Sequence, residues 1–217
     1  MKFYNLLIKY RFWAGIASLI IGLLLQFAGL GDIWAAIIFY TLSVIAIFTH
    51  FFIGPLRLVQ EPMENGDVEQ VERIIKSVWF PRLLFKPIRS SYYTLIGNIA
   101  MANKDFDTAE KNLKMSAAVG SKIAENEGST KVQLGMVALQ KSNFKDSEKY
   151  FREALKISLD SDNKAMALLG MVQIYMNKRD IRAGKDFLMR AKNCKSKNEQ
   201  VVAQIKDLEK HLARVPG

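Results

Sequence analysis

Two runs without a single formal charge, residues 12–30 and 33–53, constrain this chain more than anything else in it. They hold 19 and 21 residues. As α-helices they extend about 28 and 32 Å, which matches the hydrocarbon core of a bilayer at about 30 Å. Only Gly31-Asp32 separates them, after Gly29-Leu30, and a Gly-x-Gly-Asp stretch makes a sharp turn. The helices must return antiparallel, as a hairpin. A cleaved signal peptide would share the basic start given by Lys2, Lys9 and Arg11, but its apolar region runs only about 7–15 residues. Ala28-Gly29 also lacks a clean cleavage pattern. A buried hairpin of a soluble protein is the other alternative. Tyr10, Trp13, Trp34 and Tyr40 near the span ends or upper turns fit an aromatic belt instead.

Basic residues set the expected orientation. Lys2, Lys9 and Arg11 precede the first span, Arg57, Arg73 and Lys76 follow the second, and the turn carries no base. The positive-inside rule then places both termini in the cytoplasm of an inner (plasma) membrane, with Asp32 outside. A single cysteine, Cys194, suits a reducing compartment and excludes a disulfide framework. Ala14, Ser18 and Gly22 form a small-residue stripe, expected to pack on the second span rather than to build a homodimer. Of the spans' polar residues, Gln26 sits near one end and His50 one turn from another, too few for an ion pathway.

Averaged over the chain, apolar residues at 50% and charged residues at 24% look like an ordinary soluble protein. The charges are in fact partitioned. Residues 1–54 carry a net +2 and residues 55–217 a net +8. The charged part is expected to be helical throughout, and it repeats. Asn65-Gly66-Asp67-Val68, Lys104-Asp105-Phe106, Ser142-Asn143-Phe144 and Arg179-Asp180-Ile181 align, with their apolar residues 38, 38 and 37 positions apart. Three residues on comes a small or short side chain: Val71, Ala109, Ser147 and Gly184. Four further come Ile75, Leu113, Phe151 and Leu188. An Asp or Asn ahead of the apolar residue caps the next helix. The small residue admits a neighbouring helix, and the large one fills the groove. Residues 199–214, apolar at Val201, Val202, Ile205, Leu208 and Leu212, read as a capping helix.

This pattern resembles the tetratricopeptide repeat family over roughly residues 60–192. It is most pronounced in Leu168-Leu169-Gly170-Met171-Val172-Gln173-Ile174-Tyr175 with Phe187-Leu188 and Ala191, and in Leu134-Gly135 with Tyr150-Phe151-Arg152-Glu153-Ala154-Leu155. The period exceeds the family's usual value of about 34, which implies one helix per unit about a turn longer. The fold class expected is all-α: a transmembrane hairpin (1–54), a juxtamembrane half-repeat and linker (55–90), then a tetratricopeptide-like α-solenoid with its capping helix (91–217).

Catalytic constellations are missing from the sequence. His50 and His211 make no metal pair, and no phosphate loop, nucleophile elbow or zinc-protease motif occurs. No enzyme activity, cofactor, metal or small-molecule substrate is expected. The resemblance implies a protein partner, a peptide or helix held on the concave face of each unit's first helix. Mapped on the repeat, that face comprises Thr94, Asn98 and Met101, then Val132, Met136, Leu139 and Gln140, then Leu169, Gln173, Met176 and Asn177. Methionine adapts to varied apolar ligands; packing between units is the alternative role for Met136 and Met176. The acidic-tail clamp of some family members needs Lys and Asn here, and Thr94 stands where the Lys belongs.

A second candidate surface follows the hairpin. Arg73, Lys76, Arg82 and Lys86 interleave with Trp79, Phe80 and Phe85, as a segment facing anionic headgroups would. An inter-repeat linker with inward aromatics is the alternative. The basic run from Lys178 to Lys197 lacks a recognition motif and aromatic interleaving, so nucleic acid is not an expected partner. The function expected is a membrane-anchored scaffold. Its alternatives are a structural or assembly subunit of a membrane complex, and a thiol sensor or enzyme accessory using Cys194.

Overall fold

The computed structural model describes residues 2–27, 33–53, 56–120 and 124–213. The Gly29-Leu30-Gly31-Asp32 turn and Pro55 lie outside them. All regular structure among the described residues is helical. Two compact units divide within one helix, at Tyr92/Tyr93.

The first unit opens with α1 (Lys2–Phe27) and α2 (Ile33–Ile53), packed on each other. Both are long and apolar enough to cross a membrane. Their packing inverts that of a water-soluble hairpin. Gly15, Gly22, Ala36 and Ser43 face inward, whereas Ile20, Leu24, Trp34, Ile38 and Val44 are exposed. The helices approach so closely that a Cβ on Gly15 would meet Ile47 at 2.9 Å, and one on Gly22 would meet Tyr40 at 2.7 Å. Ser18 Oγ donates across the interface to the Phe39 carbonyl (2.8 Å), and Tyr40 donates to Gln26 Oε1 (2.6 Å). Small residues and interhelical hydrogen bonds are what hold helices together where no hydrophobic effect can. The inward stripe is Gly15-Ser18-Gly22, and Ala14 turns outward. A spacing of three then four stays on one face of a 3.6-residue helix, whereas repeated fours drift off it.

After a 3-10 turn at Leu56–Val59 come α3 (Gln60–Glu64) and α4 (Val68–Lys76), a half-repeat whose first helix is only five residues long. Val71 and Ile75 are buried, while Val68, expected to open a buried stripe, stays exposed. A second 3-10 turn, Pro81–Leu83, leads to α5 (Lys86–Ala102), which carries Pro87 in its first turn, where a missing N–H costs nothing.

In the second unit the rest of α5 is followed by α6 (Phe106–Val119), α7 (Ala124–Gln140), α8 (Phe144–Ala154), α9 (Ser161–Asn177), α10 (Ile181–Asn193) and α11 (Glu199–Ala213). α7 and α9 each run 17 residues, and the connections between units are several residues long. Together they take up the extended period.

One turn is built four times among the described residues. Gly66, Lys104, Ser142 and Arg179 are all left-handed, with φ of 72°, 61°, 58° and 60°. The next residue sends its N–H back to Pro62, Ala100, Ala138 or Tyr175 (2.8–2.9 Å), closing a Schellman motif. The side chain of that same residue then caps the following helix: Asp67 accepts from Gln70, Asp105 from Thr108, Asn143 from Asp146 and Asp180 from Ala183. A stop signal and a start signal thus share two residues, which fixes the angle between paired helices.

Packing follows the expected register. Ala109 and Ser147 are fully buried and Gly184 is buried, and Leu113, Phe151 and Leu188 fill the grooves. Ser147, standing where the family prefers Ala, satisfies its hydroxyl on the Gly135 carbonyl (2.8 Å). The Phe151 ring is wedged between α7 and α9. A Cβ on Gly135 would lie 2.6 Å from it, and one on Gly170 would lie 2.3 Å from it. Gly170 therefore serves the groove of the preceding repeat. In its own repeat, the position equivalent to Gly135 is Val172, which packs in one cluster with Leu188.

Candidate functional site

The first helices of successive repeats, α5, α7 and α9, place equivalent residues 37 or 38 positions apart. Asn98, Met136 and Gln173 form one such row, and Met101, Leu139 and Met176 another. The structure sorts the candidate residues by depth. Val132, Leu139 and Leu169 are buried in the clusters between repeats, so they support the face from beneath. Thr94, Asn98, Met101, Met136 and Met176 are half-buried. Gln140, Gln173 and Asn177 are exposed. Met101, Met136 and Met176 each pack one side against the core and keep part of their surface outside.

Thr94 is engaged locally. Its hydroxyl shares a 2.8 Å hydrogen bond with Ser116, which stands where the later repeats have Ala154 and Ala191. Two departures from the family pattern thus compensate each other across α5 and α6. Asn98 differs: its Oδ1 is buried and has no hydrogen-bond partner. The same holds for Oε1 of Gln133 on α7, a residue the sequence reading passed over. Its signal was an amide one turn before Met136, between the buried Val132 and Leu134. A buried acceptor left open costs free energy unless something supplies a donor.

Ion pairs tie the repeats together beside this face. Glu148 on α8 accepts from Arg152 (2.7 Å) on its own helix and from Lys178 (2.5 Å) after α9, while Tyr175 also reaches it. The Lys178 ammonium, helped by Arg152, holds the Glu148 carboxyl down to about 2. Lys141 bridges Asp107 (2.8 Å) and Glu110 (2.6 Å) of α6, and these carboxylates push its ammonium upward. The basic run is partly neutralised: Lys178 pairs with Glu148, Lys192 with Glu209 (2.6 Å). Arg190 lies over the Phe187 ring. Burial pushes the Cys194 thiol up, against the influence of Lys164 and Arg190, and Sγ donates to the Arg190 carbonyl. A thiol so held is a poor nucleophile at neutral pH. No group of three metal-ligating side chains occurs among the described residues.

At the other candidate surface, Arg73 and Lys76 are exposed on α4. Arg73 Nε donates to the Glu69 carbonyl, and Lys76 pairs with Glu72 (2.8 Å). Trp79, Phe80, Arg82, Phe85 and Lys86 are all exposed.

Paired helices joined by one recurrent capped turn define a helical-repeat protein. Residues 129–161 match the tetratricopeptide repeat model, the unit built around Gly135, Ser147 and Phe151. Among solved structures the chain is similar to BtubC (BKLC) from P. vanneervenii. The TM-score is 0.55 at 12% identity, over 95% of this chain and 84% of that one. At that identity the likeness concerns the fold alone. No curated protein matches the chain in sequence.

Proposed function

We propose that this chain is a membrane-anchored scaffold, in which α1 and α2 cross an inner (plasma) membrane as a hairpin and the cytoplasmic repeats dock a protein partner. The observation that carries the docking reading is the open Asn98 Oδ1. It is a buried acceptor on the face that tetratricopeptide repeats present to ligands, next to half-buried methionines. A peptide or helix would lay its apolar side on Met101, Met136 and Met176. Its backbone or side-chain N–H groups would reach Asn98, and Gln140, Gln173 and Asn177 would set its register. Supporting the anchor is the inverted packing of the hairpin, with small residues inside and large apolar ones outside. The basic residues on both sides of the hairpin, absent from its turn, support cytoplasmic termini. The repeat fold and the absence of a catalytic motif in the sequence favour a non-enzymatic role.

Substitution separates the docking face from the basic run. Met136→Glu with Met176→Glu would bury carboxylates against an apolar ligand and abolish capture of the partner. Replacing Lys192, Lys195 and Lys197 by Gln would slow association and flatten its salt dependence while sparing partner identity. If the Glu variant still captures the same protein and the Gln variant loses it, the docking face is the basic run.

A further inference from the structure

We propose that residues 77–86 form a foot lying in the headgroup plane of an anionic leaflet, at the height where the hairpin enters and leaves the hydrocarbon. This rests on the membrane reading of α1 and α2 and assigns the chemistry of the surface beside them. Phe12 lies at the start of the first span and Phe51 at the end of the second, and their rings meet at 6.0 Å. Both ends of the pair are therefore level. Trp79 sits on Phe12 (6.2 Å) and Phe80 on Phe51 (6.0 Å), which ties the foot to that same level.

The segment is nonetheless poorly covered. Leu84 turns inward and is 3% exposed, but Trp79 remains 71% exposed, Phe80 and Leu83 55%, and Phe85 48%. A short turn at Pro81–Leu83 and the extended Leu84 hold these side chains outward. Such a patch is unusual in water unless another phase covers it. The charges identify that phase. No acid occurs between Glu72 and Asp105, and Arg82 and Lys86 are exposed with no ion pair among the described residues. Arg82 is also held in place, since its carbonyl accepts from Arg89 (2.9 Å). Aromatic and aliphatic side chains interleaved with unpaired bases, fixed at a membrane boundary, match an interface of anionic headgroups over acyl chains. A protein partner would have no reason to be confined to that height.

Trp13→Phe with Trp34→Phe leaves Trp79 as the sole tryptophan of the full chain. This protein is reconstituted into phosphatidylcholine vesicles with and without phosphatidylglycerol. Emission is quenched from within by lipids brominated at a shallow acyl position and from water by iodide. With phosphatidylglycerol present, Trp79 emission should shift to the blue, respond to the brominated lipid and lose most of its iodide quenching. Arg82→Gln with Lys86→Gln, both on exposed sites, should erase the difference between the two lipid compositions. Equal iodide access in both compositions overturns the proposal, as does lipid contact that the Gln pair leaves unchanged. Alkaline carbonate extraction of the same vesicles separates two failures. Retained protein with a water-exposed Trp79 refutes the foot alone, and released protein refutes the hairpin reading and the foot with it.

Discussion

α1–α2 and α7–α10 are both antiparallel helices in close contact, yet they sort their side chains in opposite ways. In the hairpin the glycines and Ser43 are inside, and isoleucine, leucine and tryptophan are outside. In the repeats Phe151, Leu168, Met171 and Ile174 are inside, and lysine and glutamate lie outside. The difference teaches which force holds each pair. Burying apolar surface drives the repeats together, at roughly 25 cal/mol per Å². With little apolar surface buried between them, the hairpin helices have close backbone approach and hydrogen bonds such as Ser18 to Phe39 to hold them, contacts that would persist in the apolar surroundings proposed above.

The largest expected effect follows directly. Phe151→Ala removes the wedge between Gly135 and Gly170 and should cost about 3–5 kcal/mol, read as a fall in the repeat unfolding transition of the full chain in detergent. Leu24→Ala, on the exposed face of α1, should leave that transition and the hairpin unchanged. Equal losses would erase the contrast between the regions. Next comes Gly22→Leu, which forces a side chain against Tyr40 where even a Cβ would sit at 2.7 Å. A cost of about 1–3 kcal/mol is expected in the hairpin alone, seen as loss of cross-linking between cysteines placed on α1 and α2.

A smaller effect sharpens the electrostatic side of the repeats. Glu148 titrates near 2 folded against an ordinary 4.5. Its depressed pKa stabilises the fold fully above about pH 4.5, and that contribution is lost as pH falls toward 2. The melting temperature of Glu148→Gln should trail the parent at pH 6, and the gap should narrow below about pH 4.5 and close as pH falls toward 2. The smallest effect is a gain. Ser142 is left-handed where the first of the four turns uses Gly66, so Ser142→Gly should stabilise the repeats by about 0.5–1 kcal/mol.

Much of this architecture was legible in the residues. The two long apolar helices declare themselves by length and lack of charge, and the repeats by Asp and Asn caps that must recur wherever the helix pair recurs. Depth was harder to read. Ala14 fits a spacing of four, but only the helix's true period shows that Gly15 takes the interface. The repeat alignment assigns Val132, Leu139 and Leu169 to the concave face, yet all three are buried in the clusters between repeats, because the period of a helix does not show which neighbour covers a position. The left-handed Lys104, Ser142 and Arg179 carry no glycine to announce them. Asn98 was named by its position, while its open acceptor is a property of packing. Gln133 lacked even the positional clue.

The central claim is that the hairpin crosses a membrane and leaves the repeats in the cytoplasm. Topology reporters of two kinds, one active only in the cytoplasm and one only outside, test it most directly when fused after Gly217 and inserted at Asp32. The account predicts cytoplasmic activity at Gly217 and external activity at Asp32. External activity at Gly217, or cytoplasmic activity at both positions, would contradict it.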